Sequence, residues 1–230
     1  MKLTGIIVTG LALLAAAETR ADFDQANAAF AQQRYAEAAS GYEGLIRERG
    51  YSVPVLFNLA NAYYHDGQLG RAILNYERAQ LLAPDAADVA HNLSVARRKA
   101  GMADHPPHWL GTYALSGLCS LAAVMIAVGF LFRQVTGRGA VGWIAANAVV
   151  LQVSMFALLL RFPERDRAIV VVTNVPAYKA PITVTQPLFT LSEGQPVSIR
   201  EINGQFVLVE AGGGPPGWVA TAAVERVTPL

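Results

Sequence analysis

Leu56-Phe-Asn-Leu-Ala-Asn-Ala-Tyr-Tyr64, followed by Gly67, Ala72, Tyr76, Ala79 and Pro84, sets the architecture of this 230-residue chain. Two helices fit those positions. Ala72 and Ala79 let them approach closely, Tyr63 and Tyr76 fill the space between them, and Gly67 permits the left-handed turn that separates them. Pro84 then stops the second helix. Shifting the sequence by 34 residues pairs Phe30 with Tyr64, Tyr35 with Leu69, Ala38 with Ala72, Tyr42 with Tyr76 and Leu45 with Ala79. An earlier copy of the hairpin therefore occupies Asp22 to Arg47. A third stretch, Asp85 to Ala100, repeats the first helix alone. Its Asn92-Leu93 stands 34 residues after Asn58-Leu59, and it ends in Arg97-Arg98-Lys99. The expectation for 22–101 is five helices, two hairpins and a polar cap of the kind a solenoid needs at its end. That falls short of the roughly three repeats usually needed for stability, so support from another surface or subunit is expected.

The pattern resembles the tetratricopeptide repeat (TPR), a helix–turn–helix unit with this same period. The likeness is carried by Leu56 to Pro84 and, in weaker form, by Asp22 to Arg47, where Gln33 replaces the family's Gly and Gln25 its Leu. The resemblance implies that the first helix of each unit lines a concave peptide-binding face. Equivalent positions then form rows, with Phe23, Phe57 and His91 in one and Asp24, Asn58 and Asn92 in another. Asn27 and Asn61 form a third, and Phe30, Tyr64 and Arg98 a fourth. The candidate peptide contacts are Asn27, Phe57, Asn58, Asn61, Tyr64, His65 and Asn92. A carboxamide donates and accepts simultaneously, which suits an extended peptide backbone. The alternative is that these asparagines only bond neighbouring helices and solvent.

Residues 1–21 read as an export signal. Lys2 supplies the charge, Leu3 to Leu14 the apolar core, and the small residues before Ala17 and Ala21 offer cleavage sites. Retention as an uncleaved anchor is the alternative. After a linker at 102–109, containing Pro106-Pro107, residues 110–132 and 140–160 are free of charge. Each exceeds the ~20 residues needed to cross a bilayer. With a short turn at 133–139, the expectation is an antiparallel transmembrane hairpin. Two buried helices of a soluble domain are the alternative. The arginine-rich flanks at Arg97, Arg98, Arg161, Arg165 and Arg167 favour one orientation and the export signal the other. Giving the signal precedence places both flanking domains in the periplasm, at the bacterial inner (cytoplasmic) membrane.

Beyond a linker at 161–167, residues 168–230 carry strand signals. Ala168-Ile-Val-Val-Val-Thr173 is β-branched, four prolines between 176 and 196 exclude helix, and Asn203-Gly204 marks a two-residue hairpin. The order resembles a bacterial SH3-like (SH3b) domain, on Leu191, Gly194, Val197–Ile202, Phe206–Val209 and Gly217-Trp218-Val219. The family's arginine-rich segment is absent, and Tyr178-Lys179-Ala180-Pro181 stands in its place. The resemblance implies a small closed β-barrel, with Tyr178, Phe206 and Trp218 as candidates for a binding cleft.

The net charge of +1 gives no basic footprint for nucleic acid. Cys119 is the sole cysteine, which excludes an internal disulfide and a thiolate metal cage. Nucleophile elbows, phosphate-binding glycine loops and zinc-protease motifs are absent from the sequence. His105 and His108 flank Pro106-Pro107 and read as a solvated pair. No catalytic residue, cofactor or metal is expected, and the chain reads as a multi-domain α plus β membrane protein. The order of segments is similar to the BatE family of the Bacteroides aerotolerance (Bat) operon. That resemblance implies an interaction scaffold working with von Willebrand factor A-type Bat proteins in envelope or oxidative-stress tolerance. The rival expectation is a peptidoglycan-binding protein with the repeats as spacer.

Overall fold

The computed structural model describes residues 22–102, 108–136, 147–155, 166–182 and 186–228. The signal segment, His105 of the proline-flanking pair, and most of the second candidate span and its turn lie outside the described residues. The chain divides into two compact units, one of residues 1–104 with 166–230 and one of residues 105–165.

In the first unit the five expected helices are present. They are α1 (22–31), α2 (Tyr35–Arg49), α3 (Val53–His65), α4 (Leu69–Leu82) and α5 (Ala87–Lys99). Pro54 sits in the first turn of α3, where its missing donor costs nothing. Gly67 turns α3 into α4 with φ +85°. The matching position in the first hairpin is Gln33, held at φ +61°, a conformation that costs an L-residue about 1–2 kcal/mol. The helices share a core of Ala38, Tyr42, Leu59, Ala60, Ala62, Tyr63, Ala72, Ile73 and Tyr76.

The strands are β1 (Arg167–Val170), β2 (Val175–Ala177), β3 (Phe189–Leu191), β4 (Pro196–Asn203), β5 (Phe206–Glu210), β6 (Gly217–Ala220) and β7 (Val224–Arg226). Five form an antiparallel sheet in the order β6-β5-β4-β1-β7, while β2 and β3 pair separately. The β4–β5 loop is Gly204-Gln205, closed by the Asn203–Phe206 pair, and its positive φ of +57° falls on Gly204. Val207, Val209 and Val219 face the sheet's own core with Ala168, Val170, Val175 and Leu191.

This arrangement corrects the expected barrel. Among the described residues the sheet does not close, because β6 and β7 are opposite edges with no pairing between them. A 3-10 turn at Thr221–Ala223 joins them instead. The carbonyls of Arg226 and Val227, at and just past the end of β7, accept from the Arg78 guanidinium of α4.

The sheet and the repeats also share a core. Ile169 of β1 and Val227 belong to the same buried cluster as the helices, with Val171 packed against it. Gly70 of α4 is pressed so closely on β1 that a Cβ there would lie 2.5 Å from the Val170 carbonyl oxygen. Every residue of α4 from Ala72 to Gln80 is buried. β1 and the end of β7 thus cover the open side of α4, where a longer array would place its next repeat, and supply the support that two hairpins lack.

The second unit contains α6 (His108–Thr136) and α7 (147–155). The expected transmembrane hairpin is corrected too, for among the described residues no helix is long and apolar enough to cross a membrane. The side chains described in α6 run from Gly117 to Gln134, and only residues 147–155 of α7 are described. Leu121, Val124, Val128 and Leu131 of α6 are exposed, at spacings that put them along one stripe.

Candidate functional site

The repeat hairpins bring the sequence-derived asparagines together, chiefly with one another. The Asn27 side-chain oxygen accepts from the Tyr42 hydroxyl at 2.6 Å and from Asn58 Nδ2 at 3.1 Å. One repeat later, the Asn61 oxygen accepts from the Tyr76 hydroxyl and from Asn92 Nδ2 at 3.1 Å. Each member stands one repeat period from its counterpart, so α1–α2–α3 and α3–α4–α5 are fastened by the same triad. Phe23 and Phe57 repeat the pattern with rings 6.0 Å from those of Tyr42 and Tyr76. For the oxygens of Asn27 and Asn61 and the Nδ2 groups of Asn58 and Asn92, helix-to-helix bonding is the geometry present. Burial raises the pKa of both tyrosines, and the Asn58 and Asn92 amides partly offset it.

Beside this ladder lies an aromatic edge. His65 is exposed at the end of α3, stacked on Tyr35 at 5.0 Å and edge-on to Phe30 and Tyr64. Tyr64 carries the Lys99 ammonium 4.3 Å above its ring. Phe57, Asn58, Asn61, Tyr64 and Asn92 are all half-buried. The surface therefore offers aromatic area, amides held in place and a cation, which suits a polypeptide.

On the sheet, Phe206 lies opposite Ala220 and Leu208 opposite Trp218, while Val207, Val209 and Val219 alternate inward. Strand alternation therefore places Phe206, Leu208 and Trp218 on the outer face. Tyr178 joins Trp218 through two backbone hydrogen bonds of 2.8 Å. All three candidate aromatics are half-buried. Gly217 is required where the β2–β3 hairpin meets β6, since a Cβ would lie 2.8 Å from that of Ala177.

Sequence reasoning missed the joint between repeats and sheet. Glu77, 5% exposed, accepts from Arg97 of α5 at 2.7 Å and from Arg167 of β1 at 2.9 Å. Arg78 pairs with Glu225 at 2.9 Å, and Glu193 accepts from the Gly70 amide at 2.8 Å. The one available signal was a charged pair, Glu77-Arg78, between Tyr76 and Ala79, which packing requires to be buried. In sequence, Arg97 reads as part of the polar cap and, with Arg167, as a charge flanking the candidate spans, and neither reading pairs it with Glu77. Tyr63, expected to fill the space between the helices, is buried there and has polar partners that sequence did not reveal: it donates to Glu43 and accepts from Arg71; burial and the Glu43 carboxylate push its hydroxyl up to about 12. Among the described residues no cluster of histidine, cysteine and carboxylate side chains could hold a metal ion.

The profile of the tetratricopeptide repeat matches residues 53–86, which span α3, α4 and the turn after them. Among solved structures, the chain is similar to the Sgt2 TPR domain from Aspergillus fumigatus. The two share 19% identity, covering 62% of this chain and 80% of that one at a TM-score of 0.34. Comparison with curated proteins gives no significant match. The chain thus carries a tetratricopeptide repeat, a class of module that binds other proteins.

Proposed function

We propose that the protein is an interaction scaffold whose partner docks along α1, α3 and α5. The observation that carries this reading is the aromatic edge where exposed His65 meets half-buried Tyr64 and Tyr35, beside the asparagine ladder, with His65 and Tyr64 inside the matched repeat. The triads hold that edge in place before a partner arrives, which lowers the ordering cost of binding. The Lys2 to Leu14 signal supports export. The apolar run around α6, with its exposed stripe, supports attachment at the bacterial cytoplasmic membrane with the repeats on the periplasmic side. The BatE-like order of segments supports von Willebrand factor A-type Bat proteins as partners and envelope or oxidative-stress tolerance as the setting.

A photo-crosslinking residue at His65 in intact cells is expected to capture a discrete partner, and the same residue at exposed Arg200 is not. Tyr64→Ala should reduce that capture severalfold. Equal labelling from both positions would remove the reading. The outer-face trio of Phe206, Leu208 and Trp218 favours a second reading, cell-wall binding by the sheet. Co-sedimentation of the full chain with peptidoglycan, abolished by Trp218→Ala, would support it.

A further inference from the structure

A groove of about 320 Å³ runs between α1 and α2, lined by those two helices alone. Gln25, Ala29, Glu37, Gly41 and Gly44 stand in its wall, each 34 residues before Leu59, Tyr63, Arg71, Asn75 and Arg78 of the second hairpin. Those five line a matching cleft of about 200 Å³, which Glu43, Ile46 and Arg47 of α2 close from the other side. The second hairpin thus has a helix, α2, packed where the first has none among the described residues. A glycine inside a helix is destabilising relative to alanine. Gly41 has a reason within the fold, since a Cβ there would lie 3.0 Å from that of Ala26. Gly44 has none, for a Cβ there would meet only Arg47, 3.9 Å away. With Ala29 where the second hairpin has Tyr63, Gly44 keeps the groove open.

The rim selects the occupant's chemistry. Asp22, Glu37 and Glu48 belong to the lining, and no cation does. Arg34 pairs with Glu37 from outside the lining. Asp22 and Glu48 are exposed and make no hydrogen bond or ion pair among the described residues. A second copy presenting this face would set carboxylates against carboxylates. In the second hairpin the sign is reversed, for Arg71, the counterpart of Glu37, faces Glu43 of α2 at 3.9 Å. A helix placed on the first hairpin as α2 is on the second therefore needs lysine or arginine along its edges. Between them it needs bulky apolar side chains, to fill the space over Ala26, Ala29 and Gly44. We propose that this groove receives such a basic-edged amphipathic helix from a partner protein. It does so on a stripe of α1 apart from Phe23, Asn27 and Phe30, which belong to the surface along α1, α3 and α5.

The test titrates the isotopically labelled full chain with three helices of 15 residues, the length of α2, stapled so that they are helical when free. One carries leucines edged by lysine, one the same leucines edged by glutamate, and one alanines edged by lysine. The NMR signals followed are the Ser40 and Gly41 amides. Saturable shifts are expected with the lysine–leucine helix, and about tenfold weaker binding with either of the others. Binding should also weaken as salt rises. Gly44→Leu fills the groove at a position with room for it and favours the helix, so it should abolish binding in a chain that still folds. Asp22→Lys together with Glu48→Lys should turn the preference toward the glutamate-edged helix. The proposal is overturned by no saturable shift, by equal binding of the lysine- and glutamate-edged helices, or by binding that survives Gly44→Leu. Gly41 signals that move with protein concentration alone would overturn it in favour of a second copy. Nuclear Overhauser contacts from Gly44 to leucine methyls of residues 3–14, with no peptide present, would overturn it in favour of the chain's own first segment. Crosslinking at His65 is unaffected by any of these outcomes, so the two readings fail separately.

Discussion

Single residues carry the repeat's most telling chemistry, and they do so twice. Asn61 accepts from both Tyr76 and Asn92. Asn61→Leu leaves the buried Tyr76 hydroxyl and the half-buried Asn92 amide without an acceptor and is expected to cost about 1–3 kcal/mol in urea unfolding. Asn92→Leu removes one donor only and should cost less. The sequence revealed these asparagines, because they recur at the repeat period. Their pairing was invisible, because it depends on tyrosines from the second helices reaching across. Gln33 shows the same limit. Its departure from the family's glycine was legible, but its strained left-handed backbone was not. Tyr63 sets a pH dependence. Its hydroxyl pKa is raised from 10.0 to about 12 in the folded chain, so the unfolded chain loses that proton first. Its contribution to stability is full below pH 10 and declines as pH rises toward 12. Ultraviolet titration should show a group of tyrosines, with Tyr42, Tyr63 and Tyr76 among them, ionising only as the helices melt.

At the scale of elements, one carboxylate joins three of them. Glu77 of α4 holds Arg97 of α5 and Arg167 of β1. Glu77→Gln keeps the shape but leaves two partly buried guanidiniums without an anion, at an expected cost of about 2–4 kcal/mol. Arg97→Met or Arg167→Met alone should cost less, and neither should add fully to Glu77→Gln in a double-mutant cycle. Helices and strands were legible as elements, since their periods and turn residues are local. Barrel closure was not, since it depends on whether two edge strands meet, and here Arg78 takes carbonyls at the end of β7.

The molecule as a whole departs most from a segment-by-segment reading. Repeats and sheet are far apart in sequence, yet they form one unit around α4. Nothing local signals this, because the contacts join residues such as Arg78 and Glu225 across the whole intervening segment. Removing 166–230 would uncover Ile73 and strip Glu77 and Arg78 of their sheet partners. The fragment 22–102 is therefore expected to lose cooperative melting. In the full chain, hydrogen exchange of α4 and β1 amides should report a single shared opening. Exchange of β1 through a separate, easier opening would mean that the sheet is merely appended.

That sealed face also constrains ancestry. Repeat arrays lengthen by duplicating a hairpin, and a new copy needs a bare flank to settle on. Downstream of α4 that flank is shaped to β1 by Gly70 and by the Glu77-Arg78 pair, which a fresh hairpin would not match. Relatives with longer arrays are expected to carry their additional hairpins ahead of α3, while the α4 glycine and charged pair stay with whichever hairpin meets the sheet.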